Sequence, residues 1–281
     1  MVRTSQSVRV LGPADVEAAL AVIARDPVVN VFADYRTRLT QLDPRWLGGE
    51  MWGYHEGDEL VSLCHVGANL VPVGAGPEAC AAFAERAMRS GPRSSTLVGP
   101  REAVEQMWDD LATHWPAPRE LRWDQPHLEA LRPAEVASDP AVRRTTREQA
   151  TTLYPACVAM YTEEVGISPE VDGGRDLYRA RVNQLIGRGW SFSRIEDGRV
   201  LFKAEVACAS PSACQVQGVY VDPELRGQGL ATAGMAAVVE ACQREIAPSV
   251  SLYVNAHNTA ARAAYARAGF VQTETFSTIM F

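Results

Sequence analysis

Apolar residues recur along this chain with two alternating periods, close to two residues in short runs and close to 3.6 residues in longer ones. This alternation predicts strands and helices in turn. In the first half the predicted order is β-α-α-β-β-β-α-β-α-β. The corresponding segments are residues 8–11, 13–24, 30–40, 50–55, 60–66, 70–73, 77–89, 96–98, 101–113 and 119–123.

The pattern thins over the stretch QPHLEALRPAEVASDP, which begins at Gln125 and holds three prolines and no convincing strand. We therefore predict a linker at residues 126–139, between a first domain at 1–125 and a second at 140–281. The predicted order then repeats over residues 141–145, 147–161, 176–188, 191–195, 200–207, 215–221, 229–245, 251–254, 259–268 and 271–281.

Two predicted hairpins indicate that the repeat is an internal duplication. The segment His55-EGDE-Leu60 and the segment Ile195-EDGR-Val200 lie at a constant offset of 140 residues, and His65 then corresponds to Glu205. Tandem copies of one fold explain this spacing. The alternative is that two unrelated α/β domains share a strand order by chance.

Composition narrows the class of protein. The 281 residues are 47% hydrophobic and 22% charged, which is typical of a globular protein. The formal charge of −7 argues against non-specific binding to nucleic acid. The N-terminal segment has no apolar core of signal-peptide length and no run approaches 18 apolar residues, so we expect a cytoplasmic protein and no membrane partner.

The cysteines and histidines predict no metal centre. Six cysteines are scattered without a C-x-x-C motif, and five histidines form no ligand spacing with them. Cys208 and Cys214 flank a short loop and could lie close together. In a reducing compartment we expect all six to be free, small apolar residues.

The stretch QVQGVYVDPELRGQGLA, from Gln215 to Ala231, is typical of a phosphate-binding site. It combines an apolar strand, a turn and a glycine-rich loop at the start of a helix, where backbone amides lack partners and the helix dipole favours anions. Gly227 and Gly229 allow close backbone approach, and Arg226 adds a cation. The Walker pattern and the dinucleotide G-x-G-x-x-G pattern are both absent. An ordinary glycine-softened turn is the alternative.

Spacing decides between these possibilities. Arg226, Gly229 and Ala231 satisfy R/Q-x-x-G-x-G/A, and a second pattern, N-x-x-A-x-x-x-Y-x-x-x-G-F, follows at Asn258 to Phe270. Together they resemble the GCN5-related N-acetyltransferase (GNAT) superfamily, from residue 141 to the C-terminus. The whole chain also resembles actinobacterial two-domain GNAT proteins whose N-terminal half has no assigned role.

The resemblance implies an α/β (α+β) fold class, with tandem GNAT-like folds that each have a mixed, mostly antiparallel central sheet flanked by helices. It also implies acetyl-CoA (coenzyme A) as cofactor, with its pantetheine arm between splayed fourth and fifth strands. Gly218 is consistent with a bulge there. The amide of Val219 would bind the thioester oxygen. The implied cofactor-binding residues are Val219, Tyr220, Val221, Arg226, Gly227, Gln228, Gly229, Leu230, Ala231, Asn258 and Tyr265.

Two residues are candidates for proton transfer. Tyr265 lies two helical turns after Asn258 and would protonate the departing thiolate, although a simple packing aromatic is the alternative. Glu205, central in its strand, is the best candidate for the base or for a water relay. The face of the sheet to which it points is not readable from the sequence.

The acyl acceptor is the least defined partner. Glu163 and Glu164, expected in the loop after the first helix of the second half, and Tyr161 are candidate substrate-binding residues, with solvated surface charge as the alternative for the two acids. Phe276 and Met280 could line the same pocket.

The first half lacks the corresponding chemistry. Pro77 and Glu78 stand where phosphates would bind, one removing an amide donor and the other adding negative charge, and Asp109 stands in place of the tyrosine. We expect a degenerate GNAT-like domain.

The leading hypothesis is an acetyl-CoA-dependent N-acetyltransferase that transfers acetyl directly to a primary amine of a small molecule, peptide or protein. No cysteine lies within the motifs, which disfavours a covalent enzyme intermediate. The alternative is an acyl-CoA-binding regulatory (sensor) module without efficient turnover, and a pure interaction protein is a third. We expect a monomer or homodimer.

Overall fold

The computed structural model describes residues 6–281, which form twelve strands and nine α-helices. The strands are β1 (Gln6–Val10), β2 (Glu50–Glu56), β3 (Glu59–Val66), β4 (Asn69–Val73), β5 (Thr96–Pro100), β6 (Glu120–Ala130), β7 (Arg143–Arg144), β8 (Ser191–Glu196), β9 (Arg199–Ala209), β10 (Ala213–Val221), β11 (Ser249–Tyr253) and β12 (Phe270–Met280). The helices are α1 (Val16–Ile23), α2 (Val31–Thr40), α3 (Pro44–Leu47), α4 (Pro77–Ser90), α5 (Arg101–Leu111), α6 (Ala150–Val165), α7 (Arg175–Gly187), α8 (Leu230–Glu245) and α9 (Thr259–Arg267).

The chain folds into two compact units. Unit 1 comprises the chain up to His127 together with Tyr253–Ala256 and Gln272–Phe281, and unit 2 comprises Leu128–Leu252 and His257–Val271. The units therefore differ from the predicted domains, since two segments from the end of the chain belong to unit 1.

Unit 1 is a mixed sheet with the strand order β1-β2-β3-β4-β5-β12-β6. Every neighbouring pair from β1 to β4 is antiparallel, β4 and β5 are parallel, and the last part of β12 pairs antiparallel with β5. Helices α4 and α5 cover one core, in which the side chains of Phe83, Val104 and Ile279 are buried. A second core contains Ile23, Leu47 and Leu63.

Unit 2 repeats this arrangement with the order β7-β8-β9-β10-β11-β6. Its strands are antiparallel from β7 to β10, and β10 and β11 are parallel. Helix α8 packs closely on β9, since a Cβ at Gly234 would lie 2.8 Å from the ring of Phe202. Helices α6 and α7 form a core with buried Leu153, Val182 and Ile186.

The registers of the two hairpins confirm the predicted duplication. His55 pairs with Leu60 in the first hairpin, and Ile195 pairs with Val200 in the second. Each hairpin also has an irregularity immediately before the first of these residues, between Tyr54 and His55 and between Arg194 and Ile195. All of these positions are 140 residues apart, so the copies share backbone detail as well as strand order.

The prediction that the stretch from Gln125 holds no strand is wrong, because β6 continues to Ala130. Pro126 has no N–H, yet its carbonyl accepts a bond from the amide of Val254 at 3.1 Å, so the strand keeps a partner on that side. The remainder of the predicted linker is also held in place. The amide of Asp139 donates to the carbonyl of Ala233 at 3.0 Å.

Smaller differences have local causes. A short helix, α3, lies between two predicted elements, because the Asp43 carboxylate accepts from the amide of Arg45 at 3.0 Å and proline occupies the first helical position. The closing segment forms one strand, β12. All six cysteines are buried and free. None of the helices in residues 6–281 has the length and apolarity needed to span a membrane.

The last part of β12 pairs with β5, so it is expected to stabilise unit 1. Ile279 is 0% exposed and is paired with Leu97, so Ile279→Ala should remove about 2–5 kcal/mol from the free energy of unfolding of this unit. Urea titration followed by tryptophan fluorescence measures this, since Trp52, Trp108 and Trp115 belong to the same core. The exposed Gln272→Ala is the control, and an equal effect of the two changes would contradict the assignment.

Candidate active site

The parallel pair β10 and β11 separates soon after it begins. Register partners are found only at Ala213 to Gln215, whereas β10 continues to Val221. Beyond Gln215, β10 keeps its antiparallel partner β9, with Tyr220 opposite Lys203. Among residues 6–281, no strand pairs with the other edge of this part of β10. Such an edge offers backbone groups to an extended ligand.

The predicted bulge at Gly218 is present. The register passes from Gln217 opposite Glu205 to Tyr220 opposite Lys203, so Gly218 and Val219 stand opposite a single residue of β9. Gly218 has φ of +61°, and a Cβ there would lie 3.1 Å from Cδ of Glu205. Only glycine combines this backbone conformation with so close an approach of the carboxylate.

Glu205 points to the side of the sheet covered by α6. The structure resolves its orientation, since the neighbouring Phe202 faces α8 on the opposite side. The side chain is buried and both oxygens are bonded, Oε2 to Lys203 Nζ at 3.0 Å and Oε1 to Gln217 Nε2 at 3.0 Å. A Cβ on Gly218 would lie 3.1 Å from both Cδ of Glu205 and Cε of Met160 on α6. A predicted catalytic residue thus lies beside the bulge in β10.

Lys203 is a residue that the sequence analysis missed. Burial acts to lower the pKa of its ammonium group, but the Glu205 carboxylate and the Cys157 thiol outweigh burial and leave the pKa above its ordinary value. The available signal was its spacing. Residues two apart in a strand share a face, and a lysine at this distance from Glu205 in an otherwise apolar strand indicates a charge partner.

The predicted phosphate loop joins β10 to α8. Gly227 and Gly229 have φ of +79° and +84°, and a Cβ at either would meet no atom within 4 Å. Helix α8 begins at Leu230, so the amides of Leu230 and Ala231 are among those without intrahelical acceptors. The loop is anchored upstream at Asp222, whose carboxylate accepts from the Arg199 guanidinium at 2.7 Å. The loop therefore combines open space with backbone N–H donors that have no intrahelical acceptor. Gln228 lies between the two glycines.

Arg226 is bonded to a residue predicted for a different role. Its guanidinium donates to both oxygens of Glu163, at 2.9 and 2.7 Å. This bonding lowers the pKa of the Glu163 carboxyl and raises the pKa of Arg226. Glu163 and Glu164 also belong to α6, which ends at Val165, and not to the loop after it. Helical hydrogen bonding extends one turn further than the sequence pattern indicated.

Helix α9 brings Asn258 and Tyr265 into unit 2. The Asn258 side chain accepts a bond from the amide of Ala261 at 3.1 Å and so caps the N-terminus of α9. Tyr265 is buried, with its ring centroid 6.0 Å from that of Phe270. Burial raises the pKa of the Tyr265 phenol, and the charge of Glu164 raises it further. The hydroxyl is therefore protonated over the whole neutral range.

The remaining acceptor-site candidates are separated by the fold. Tyr161 lies on α6 with its ring edge-on to Tyr178, at a centroid distance of 5.3 Å. Phe276 and Met280 belong to unit 1, where Phe276 stacks on His127 at 4.9 Å and Met280 pairs with Thr96. Packing inside unit 1 accounts for these two residues, because the last part of β12 pairs with β5.

Unit 1 has different groups at the equivalent positions. His65 stands where unit 2 has Glu205, and burial lowers its pKa to about 4, so it is neutral near pH 7. Pro72 follows the register partner of His65, as Gly218 follows that of Glu205, and it has no N–H. Its ring also lies 3.4 Å from the Cβ position of Gly99 on β5. Helix α4 begins with Pro77 and has Glu78 in its first turn.

In residues 6–281, no three His, Cys, Asp or Glu side chains come together as metal ligands.

The close approach at the bulge predicts a graded response to alanine. Gly218→Ala should cost about 2–4 kcal/mol of stability, because left-handed strain adds to a clash with Glu205 and Met160. Gly198→Ala is the matched control, since Gly198 has φ of +75° with no atom within 4 Å, and it should cost about 1 kcal/mol. Chemical denaturation measures both variants. Equal losses would show that the bulge has room for a side chain.

Two family models match the sequence. The model described as a domain of unknown function (DUF4081) matches residues 49–153. The model described as the acetyltransferase (GNAT) family matches residues 178–270, which include β8 to β11, the phosphate loop and α9. A search of curated proteins finds no match.

Solved structures share the fold over nearly the full chain. A protein from Drosophila has a TM-score of 0.63 at 13% identity, with 99% of each chain covered. A tandem GNAT protein from the clavulanic acid biosynthesis pathway has 0.58 at 16%, with 98% of each covered. A GNAT-family acetyltransferase from Colwellia psychrerythraea has 0.56 at 14%, covering 98% of this chain and 99% of its own. Residues 178–270 thus match the acetyltransferase (GNAT) family, and the chain as a whole shares the fold of solved tandem structures.

Proposed function

We propose that unit 2 is an acetyl-CoA-dependent N-acetyltransferase that transfers the acetyl group directly to a primary amine. One observation carries the proposal. The free edge of β10 leads from the bulge at Gly218 to the open glycine loop before α8, with a buried carboxylate beside the bulge. An extended thioester with a diphosphate at its far end matches this sequence of backbone edge and anion donors.

The residues present fit coenzyme A. Diphosphate oxygens need several backbone donors and no obstructing side chains, and the loop from Arg226 to Ala231 provides donors beside two unobstructed glycines. Arg226 would exchange Glu163 for phosphate. That exchange is inexpensive, because an ion pair with 47% and 60% exposed side chains contributes only about 0–1 kcal/mol.

The proposed reaction needs three groups of this chain. The amide of Val219, freed at the bulge, donates to the thioester oxygen and stabilises the charge that develops there. The amine nitrogen forms a bond to the acetyl carbon as the carbon–sulfur bond breaks. Glu205 accepts the proton that the amine loses, directly or through one water, and Tyr265 donates a proton to the departing sulfur. Tyr265 starts in the required protonated state, because burial raises the pKa of its phenol.

We further propose that unit 1 is a degenerate GNAT-like domain without acyl-CoA chemistry. Pro72 removes a donor at the position equivalent to Gly218, Pro77 removes one at the start of α4, and Glu78 opposes phosphate. Acceptor recognition then falls to unit 2. Glu164, which is close enough to Tyr265 to influence its pKa, and Tyr161 on the same helix are the candidates, consistent with a cationic amine of a small molecule or peptide.

Acetyl-CoA should raise the melting temperature of the protein. Saturation at about one hundred times Kd corresponds to roughly 2.7 kcal/mol of stabilisation. Gly229→Ala should remove most of this shift, because a methyl group enters the open space of the loop. Gly198→Ala controls for left-handed strain, since its φ of +75° is close to the +84° of Gly229, and it should keep the shift. Absence of any shift in the wild-type protein would exclude both an acetyltransferase and an acyl-CoA sensor.

Tyr265→Phe tests the chemistry itself. Removing the proton donor should lower kcat about a hundredfold and leave the KM for acetyl-CoA within about twofold, because the hydroxyl acts on the sulfur as it departs. Thiol release across a panel of amines and peptides provides the assay, and Tyr54→Phe, at a buried tyrosine of unit 1, is the control. Unchanged kcat in Tyr265→Phe would remove the residue from the mechanism. Acetyl-CoA binding by wild type without thiol release from any amine would favour the sensor.

A further inference from the structure

A buried lysine in unit 2 has no part in the reaction as described. The side chain of Lys203 is 1% exposed, in the middle of β9, although lysine is among the residues least often found fully buried. Transferring an isolated ammonium group from water into a protein interior is costly unless a counter-charge is bonded to it. The reason for its burial should therefore lie in its partner.

That partner is Glu205. Nζ of Lys203 donates to Oε2 at 3.0 Å, and Gln217 of β10 donates to the other oxygen. The titratable groups that face the pair from the packed helices are Cys157 on α6 and Tyr178 on α7, and burial raises the pKa of both. Tyr161 of α6 packs on Tyr178 and adds a further phenol. The Cys157 thiol and the Tyr178 phenol are thus neutral near pH 7.

The charge balance of this cluster has a consequence for the carboxylate. Burial favours the neutral form of a carboxyl group, and a nearby cation favours the charged form. Only the charged form can accept a proton. With the Cys157 thiol and the Tyr178 phenol neutral, Lys203 is the cation among these facing groups, and it is bonded directly to the Glu205 carboxylate.

We propose that Lys203 is a positioning residue that holds Glu205 as a carboxylate beside the bulge in β10. This inference rests on the proposed function, in which Glu205 accepts the proton of the amine. Lys203 does not touch the reacting atoms. When Glu205 takes a proton, the pair acquires a net positive charge in a buried site, so the proton is readily returned to water after the acetyl group has moved.

The pH profile of kcat/KM tests this role. In Lys203→Met, which keeps the length of the side chain without its charge, the acidic limb of the profile should move upward by about one to three pH units. Activity at high pH should approach that of wild type. Lys203→Arg retains the cation and should restore the wild-type position of the limb. A uniform loss at every pH, with the limb unmoved, would show that Lys203 serves only the fold.

A reciprocal measurement does not depend on activity or on the folding of Lys203→Met. In protein labelled with ¹⁵N-lysine, the Nζ of Lys203 should give the signal of a protonated, exchange-protected ammonium near pH 7. Glu205→Gln removes the counter-charge, and the buried amine should then lose its proton, with a change in Nζ chemical shift. A signal unchanged by Glu205→Gln would overturn the pairing on which the proposal depends.

The same variant separates the two proposals. If Glu205→Gln shifts the Nζ signal but keeps wild-type kcat/KM and pH profile, the ion pair exists and the catalytic role of Glu205 is wrong, so Lys203 positions nothing for catalysis. If Glu205→Gln loses activity and Lys203→Met leaves the acidic limb in place, Glu205 is the base and the inference about Lys203 fails. A shifted limb together with an inactive Glu205→Gln supports both.

Discussion

The divergence of β10 from β11 is the constraint on which the proposed site depends. A strand in the middle of a sheet normally bonds on both edges, and an unbonded edge inside a protein is costly. Here β10 gives up one partner after Gln215 but keeps β9 on the other side through a two-against-one bulge. The bulge requires a residue with positive φ and no side chain, and Gly218 meets both needs. This one break in pairing positions the groups of the proposed site, because the carboxylate of Glu205 lies against the bulge and the glycine loop follows β10.

The two units share their strand pairing but differ in the side chains at the positions of the proposed site. Both contain the same hairpin irregularity and the same short parallel pair of strands. In unit 1 the position next to the divergence is a proline, and the position of the buried acid is a neutral histidine. Strand pairing and core packing tolerate these changes, since the backbone path is retained. A ligand that relies on free amides and a carboxylate would not tolerate them. The fold can therefore be retained in a unit that lacks the proposed site.

Local spacing explains what the sequence could predict. The loop glycines and the bulge at Gly218 each depend on a few neighbouring residues, and both were found from the sequence. The partners of Arg226 and Glu205 were not, because Glu163 is 63 residues from Arg226 and the face of β9 depends on how the helices pack. The membership of Gln272–Phe281 in unit 1 was missed for a similar reason. A strand pattern indicates that a segment will pair but does not identify its neighbour.

Two of the ion pairs in unit 2, Arg226 with Glu163 and Lys203 with Glu205, differ in exposure in a way that suits opposite ends of the proposed ligand. Arg226 and Glu163 are largely exposed, so water screens their attraction and a phosphate can replace the carboxylate at little cost. Lys203 and Glu205 are buried, so neither can be exchanged without leaving an uncompensated charge. In a binding loop a weakly held partner is favourable, because a phosphate can displace Glu163 with little loss of free energy. For a proton acceptor a permanent partner is favourable, because Glu205 must already be a carboxylate when the amine binds. The exposure of one pair and the burial of the other therefore suit the roles that the proposed acetyl transfer gives them.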